Sequence, residues 1–224
     1  MRRISGSTGC IGRRQTKGAL NVDQVIEYKL LLKDTLSKKR CQHSLNVASE
    51  CERLAAKFGE DERRAYIAGL LHDVKKDASP QEQLALVRKA EGVAPVELEC
   101  PALWHAIAGA VFARQELRIE DEDMLGAIRY HTVAKAGMTM LQKIVYLGDL
   151  VSVDRTYKDV GRMRKLTYAN LDKAMLEALR FSISDLVAKG NRIPVCTIHA
   201  YNDFLRIRSA QSVTEGPGFN TENN

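Results

Sequence analysis

Apolar residues along most of this chain recur every three or four positions, the spacing of one helix face, and no convincing run alternates polar and apolar residues as a strand would. The spacing predicts a first helix over Val22 to Leu36, with Val25, Tyr28, Leu32 and Leu36 in one stripe. A second runs from Lys39 to Phe58 and stops at Gly59, and Asp61 caps a third that passes through Ala65, Ile67, Ala68 and Leu71 to His72. Ser79-Pro80-Gln81-Glu82 opens a helix with three signals together: a serine N-cap, a proline at the first position and a glutamate that completes a capping box. Pro101 opens a helix through Ala102, His105, Ala108 and Phe112, Asp121 caps one through Leu125 and Ile128 to His131, and Thr139 begins one through Ile144 to Val151. The polar stretch around Asp154 to Arg162 reads as a loop. A long amphipathic helix follows from Asn170 to Lys189, and a last one spans Thr197 to Ile207. No repeat of solenoid length is present. The expectation is one all-α domain, a single helical bundle.

Composition narrows the function classes. Hydrophobic residues make up 45% and charged residues 28% of the 224, which places the chain with soluble globular proteins rather than disordered or fibrous ones. No stretch approaches the roughly 18 consecutive apolar residues of a membrane span, and Asp149 interrupts the longest candidate, Ile144 to Val153. The net charge of +6 invites a nucleic-acid reading, but Arg2, Arg3, Arg13, Arg14 and Lys17 lie in an acid-free leader and account for almost all of it. A nucleic-acid-binding domain would carry a basic stripe on its folded body, and here the body is nearly neutral. Neither nucleic acid nor membrane is expected as a partner.

The expected organisation is a disordered basic leader over residues 1–20, a folded body over 21–208 and a disordered polar tail over 209–224. The leader lacks the apolar stretch of a secretory signal, and an organelle address is the alternative to a plain extension. Five cysteines, odd in number and without a C-x-x-C pair, argue against a disulfide framework or a thiolate zinc site. They fit a reducing, cytoplasmic setting.

The candidate chemistry rests on histidine and aspartate. Four of the five histidines sit on predicted inward faces: His43 in the stripe of Val47, Cys51, Leu54 and Phe58; His72, followed by Asp73, at the end of a very apolar helix; His105 with Ala108, Gly109 and Phe112; and His131 one turn after Ala127 and Ile128. Asp149 lies among Leu147, Gly148, Leu150 and Val151, with no lysine or arginine at helical spacing toward its face. A buried charge must find a counter-charge or neutralise itself. A bound cation would supply one; a tyrosine hydroxyl, or an arginine brought in by the fold, is the alternative. A single inward histidine is more often a core residue than a ligand, but five such coincidences on five helices favour a nitrogen and oxygen ligand set suited to Fe, Mn or Zn rather than Ca. His199 reads as structural.

These residues resemble the HD-domain metal phosphohydrolases, and more narrowly the bacterial YqeK-type symmetrical bis(5′-nucleosyl)-tetraphosphatases. The matching strings are Arg40-Cys-Gln-His43, Leu71-His72-Asp73-x-x-Lys76, Leu103-Trp104-His105-Ala106, Ile128-Arg129-Tyr130-His131-Thr132, Gly137-Met138-Thr139, Tyr146-Leu147-x-Asp149 and Pro194-x-x-Thr197-x-x-Ala200-Tyr201-Asn202. The resemblance implies an HD-type helical bundle whose metal ligands are His43, His72, Asp73 and Asp149. It implies iron, as one ion or two, with Mn or another divalent metal as the alternative. His105, His131 and Lys76 would serve the reacting phosphates, with His105 and His131 holding a second ion if the site is binuclear and a protonated His105 or His131 donating to the leaving group. Arg40, His43, Asp73, Arg155, Pro194 and Thr197 would line the substrate pocket with them. The implied reaction splits diadenosine tetraphosphate into two ADP; the alternative is an HD phosphohydrolase acting on mono- or triphosphates or on an alarmone. A metal-retaining regulatory protein and an HD-type di-iron oxygenase are the readings from other classes. A homodimer is compatible with the resemblance. The sequence departs from the family's pattern at Ser152-Val153, where relatives carry Glu-Pro before the arginine that aligns with Arg155.

Overall fold

A computed structural model describes residues 22–214 of the chain, and their side chains from 23 to 209. Among the described residues there are eleven helices and no strands. They are α1 (Val22–Thr35), α2 (Lys38–Phe58), α3 (Glu62–Leu71), α4 (Pro80–Val87), α5 (Pro95–Leu98), α6 (Pro101–Gln115), α7 (Glu122–Tyr130), α8 (Met140–Val151), α9 (Val160–Ala169), α10 (Leu171–Ala188) and α11 (Val195–Thr214).

The starts fall where the capping chemistry places them. Asp61 accepts from the Arg64 amide, Asp121 from those of Asp123 and Met124, and Thr139 from that of Gln142. Ser79 and Glu82 form the reciprocal capping box. Gly59, at φ 76°, ends α2 in the left-handed conformation that glycine adopts without a Cβ clash.

Two helices depart from expectation. The stretch expected as a loop around Asp154 to Arg162 gives way at Val160 to α9, and a single turn, α5, precedes α6. The leader and residues 215–224 lie outside the described residues, but Gln211 to Thr214, expected in the tail, belong to α11.

The core runs from α1 through α2, α3, α7 and α8 to α10, with Leu32, Leu54, Ile67, Leu71, Ile128, Ile144, Leu147 and Met175 fully buried. Three site-bearing helices, α2, α3 and α8, meet at Cys51. Neither Gly69 of α3 nor Gly148 of α8 could carry a side chain there, because an added Cβ would come within 2.8 Å and 2.6 Å of the Cys51 Sγ. Glycine permits that approach of backbone to thiol. No described helix is long and apolar enough to cross a membrane.

Candidate metal centre

Two histidines end helices, and both use the same device. His72 is the C-cap of α3 and His131 the C-cap of α7. Each ring bonds through Nδ1 to the carbonyl three residues back, Gly69 at 2.6 Å and Ile128 at 2.8 Å. These carbonyls belong to the last turn of a helix, where groups lack partners along the helix itself. A carbonyl can only accept, so Nδ1 carries a proton and each ring turns Nε2 inward. His43 in the second turn of α2 and His105 in α6 complete a row of four imidazoles. Ring centroids are 5.4 Å apart for His43 and His72, 5.0 Å for His72 and His131, and 5.2 Å for His105 and His131. All four are buried.

Asp73 lies at the centre of the row, 3% exposed. Its Oδ2 accepts from Arg40 at 2.8 Å and stands 3.4 Å from His72 Nε2. Its Oδ1 stands 3.4 Å from His105 Nε2 and 3.6 Å from His131 Nε2. These ring separations exceed a good N–H···O hydrogen bond. Accordingly His72 Nε2 and Asp73 Oδ1 are buried without a hydrogen-bond partner. Two triads, His43–His72–Asp73 and Asp73–His105–His131, share Asp73, and within each the donor atoms lie inside 4.8 Å of one another. An orphaned lone pair beside an orphaned carboxylate oxygen is costly to bury, and a cation between them removes the cost. These clusters point to a divalent-metal site, and nitrogen and oxygen donors of this kind fit one.

At Asp149 the fold supplies the arginine that the sequence left open as the alternative to a cation: Arg155, from the loop after α8, donates to both its carbonyl and its Oδ1. Its Oδ1 lies 2.9 Å from His43 Nε2 and 3.9 Å from His72 Nε2, and its side chain is one-fifth exposed. The argument for a missing counter-charge therefore rests on Asp73 and His72 rather than on Asp149.

Electrostatics follow the crowding. Burial alone would raise both carboxyl groups, but the imidazoles around Asp73, and His43 beside Asp149, hold them well below the usual carboxylate range. Burial works against a protonated His72, yet Asp73 beside it outweighs that and moves the ring upward. Burial, with His131 and Lys76 adding to it, pushes His105 down to about 3. Burial and its cationic neighbours thus favour the neutral form of His105 near pH 7. Lys76 places its Nζ 3.3 and 3.2 Å from the two ring nitrogens of His105, and burial lowers its own pKa.

A cavity of about 430 Å³ opens beside the cluster, lined by Ser37, Lys39, Arg40, His43, Asp77 and residues 154–157. A larger one, about 820 Å³, lies between α6 and α7, and none of the predicted site residues lines it. Arg40, His43 and Arg155 therefore face the smaller cavity, while Lys76, His105 and His131 stand around Asp73. Pro194 is buried, and Thr197 donates its hydroxyl to the Val133 carbonyl at 2.7 Å and its amide to the Pro194 carbonyl at 3.0 Å. His199 is exposed. Sequence reasoning missed Asp154, whose Oδ2 lies 2.7 Å from His43 Nδ1. The contact joins residues 111 apart, and no local pattern announces it.

Comparisons with known proteins agree with this geometry. Residues 40–163 match the HD domain family, a span that contains all four imidazoles, Asp73, Asp149 and Arg155. The chain is 32% identical to a symmetrical bis(5′-nucleosyl)-tetraphosphatase of Bacillus subtilis over 76% of its own length and 92% of that protein. It is 33% identical to the corresponding protein of Halalkalibacterium halodurans over 78% and 94%. Among solved structures, an HD superfamily hydrolase of Clostridium acetobutylicum described as involved in NAD metabolism superposes with a TM-score of 0.79 at 31% identity, covering 85% of this chain and all of that one.

Proposed function

The chain belongs to the HD domain family, and from that premise we propose that it is a divalent-metal phosphohydrolase that cleaves diadenosine tetraphosphate symmetrically into two ADP. The observation that carries the chemical part is the buried, unsatisfied pair His72 Nε2 and Asp73 Oδ1 inside a ring of imidazoles. The substrate assignment rests on the relatives, two of which are symmetrical tetraphosphatases over nearly their whole length.

In this reading His43, His72, Asp73 and Asp149 hold the cation, which is iron, with manganese as the working substitute. When bound, it supplies Lewis-acid polarisation of a phosphoryl oxygen and acidifies water at the same place. Symmetrical cleavage requires attack on the second phosphorus from one adenosine, with the bond to the central bridging oxygen breaking and one ADP departing. Arg40 and Arg155 clamp the polyphosphate from the small cavity, and Lys76 neutralises charge that develops on the equatorial oxygens. The terminal phosphate of the departing ADP is a weak base near neutrality, so charge neutralisation suffices where a strong acid would otherwise be needed. That suits a neutral His105, which accepts or donates a hydrogen bond but carries no charge, and His131 is placed beside it for the same oxygens. The setting is cytoplasmic.

The deciding experiment is a product analysis. Purified protein loaded with Fe²⁺ or Mn²⁺ is expected to convert diadenosine tetraphosphate to ADP as the sole nucleotide product on ion-exchange chromatography. Formation of AMP with ATP, or no turnover with any divalent metal, overturns the assignment.

A further inference from the structure

His43 has the same task as His72 and His131 but not the same means. Those two end their helices, where a carbonyl is free to take Nδ1–H. His43 sits well inside α2, whose interior carbonyls serve the helix itself. Its Nδ1 partner must come from another part of the chain, and the structure supplies one: Asp154 Oδ2 at 2.7 Å. A carboxylate only accepts, so Nδ1 carries a proton and the ring is turned with Nε2 toward the cluster. That Nε2 lies 2.9 Å from Asp149 Oδ1, and the Arg155 guanidinium that donates to the same oxygen stands 3.4 Å from the ring nitrogen.

Asp154 is itself held on both sides. Its Oδ1 accepts from Asn46 Nδ2 at 3.1 Å, and Asn46, one turn along α2 from His43, accepts in turn from Gln42 at 3.0 Å. The backbone around Asp154 is pinned by Arg164 of α9. That guanidinium donates to the carbonyls of Val151 at 2.9 Å, Ser152 at 2.7 Å, Val153 at 3.4 Å and Arg155 at 2.9 Å. The loop where the resembling sequences carry Glu-Pro is thus fixed here by one arginine gathering four carbonyls. Asp154 is not a core residue, since its side chain is 35% exposed and its neighbour Val153 is 68% exposed. Its two oxygens are divided between His43 and Asn46, both on α2.

We propose that Asp154 is a positioning residue for the metal site: its carboxylate, steadied by Asn46 and by the Arg164-pinned loop, fixes the tautomer and rotation of His43 so that Nε2 faces the cation. The proposal rests on the reading of His43 as a ligand. A carboxylate behind a ligating imidazole also makes the ring a better electron donor, and losing such a partner typically weakens metal binding by about 10–100-fold.

The test is calorimetric titration of the metal-stripped protein with Mn²⁺, with the melting temperature of the stripped protein as the second reading. Asp154→Ala is expected to weaken Mn²⁺ binding by about 10–100-fold while the stripped protein melts as before. Asp154→Glu, which keeps the carboxylate, is expected to recover part of the loss. Equal affinity in all three proteins, or a loss in Asp154→Ala matched by a fall in melting temperature, overturns the positioning role and leaves the metal site standing. Failure of the unsubstituted protein to bind Mn²⁺ overturns both.

Discussion

Glu97 and Asp73 are acids buried to nearly the same depth, 2% and 3% exposed, and each is paired with an arginine. Around Glu97 every hydrogen-bonding need is met: one oxygen accepts from Arg129 at 2.7 Å and the other from the Ala94 amide at 3.0 Å. Around Asp73 the accounting fails, because Oδ1 has two imidazole nitrogens nearby, those of His105 and His131, and a hydrogen bond from neither. Burial and ion pairing therefore do not separate a functional acid from a scaffolding one in this molecule. Incompleteness does. The Glu97–Arg129 pair fastens α5 to α7 and is finished, whereas the Asp73 cluster is stable as built only with a further positive charge.

That contrast can be broken most severely at His72. His72→Ala is expected to lose bound metal and to reduce turnover by roughly 10³-fold or more, the rate equivalent of several kcal/mol of transition-state stabilisation, with helical content retained. Metal analysis of protein purified without chelators, read beside circular dichroism, checks it. Glu97→Ala should do the reverse. Leaving the partly buried Arg129 unpaired is expected to cost up to about 3 kcal/mol in denaturant unfolding, while metal content stays at the wild-type level. If Glu97→Ala released the metal as well, the two acids would be parts of one network and the contrast would fail.

Lys76→Met sharpens the same division inside the site. It removes a charge clamp without removing a ligand, so kcat/KM is expected to fall about 10²-fold at unchanged metal occupancy, measured by steady-state kinetics on the loaded enzyme. The smallest expected effect is on pH. In metal-stripped protein the pKa of His72 is raised by Asp73 despite burial. Its contribution to stability is then fully present below the unfolded value of about 6.5 and is lost as pH rises through the raised folded value. His105, pushed down to about 3, contributes the opposite slope, so the His72 part is read as the difference in melting temperature between the stripped protein and stripped His72→Ala. That difference should be larger at pH 6 than at pH 8, and a difference that grows from pH 6 to pH 8 would contradict the sign.

Much of this was legible beforehand, for reasons that can be named. Asp61, Ser79, Asp121 and Thr139 announce their helices because an N-cap is a local chemical event, and the four inward histidines show because helical spacing is local too. What escaped depends on distant chain. α9 starts from Asp159 in the left-handed region, with no side-chain cap, and buries little beyond Met163 and Thr167, so neither a cap nor a stripe marks it. Arg155 reaches Asp149 by a loop rather than along a helix face, so helical spacing could not pair them. Asp154 could not be matched to His43 until α2 and the loop after α8 were brought together.

The crossing at Cys51 gives the site a second control that involves no donor atom. The thiol stands two turns from His43, Gly69 three residues before His72, and Gly148 next to Asp149. The gap between the three donor-bearing helices is consequently gauged by one sulfur against two missing side chains. A methyl group at either glycine would press on that sulfur and spread the gap, moving the imidazoles and carboxylates apart while leaving every donor atom in the sequence unchanged.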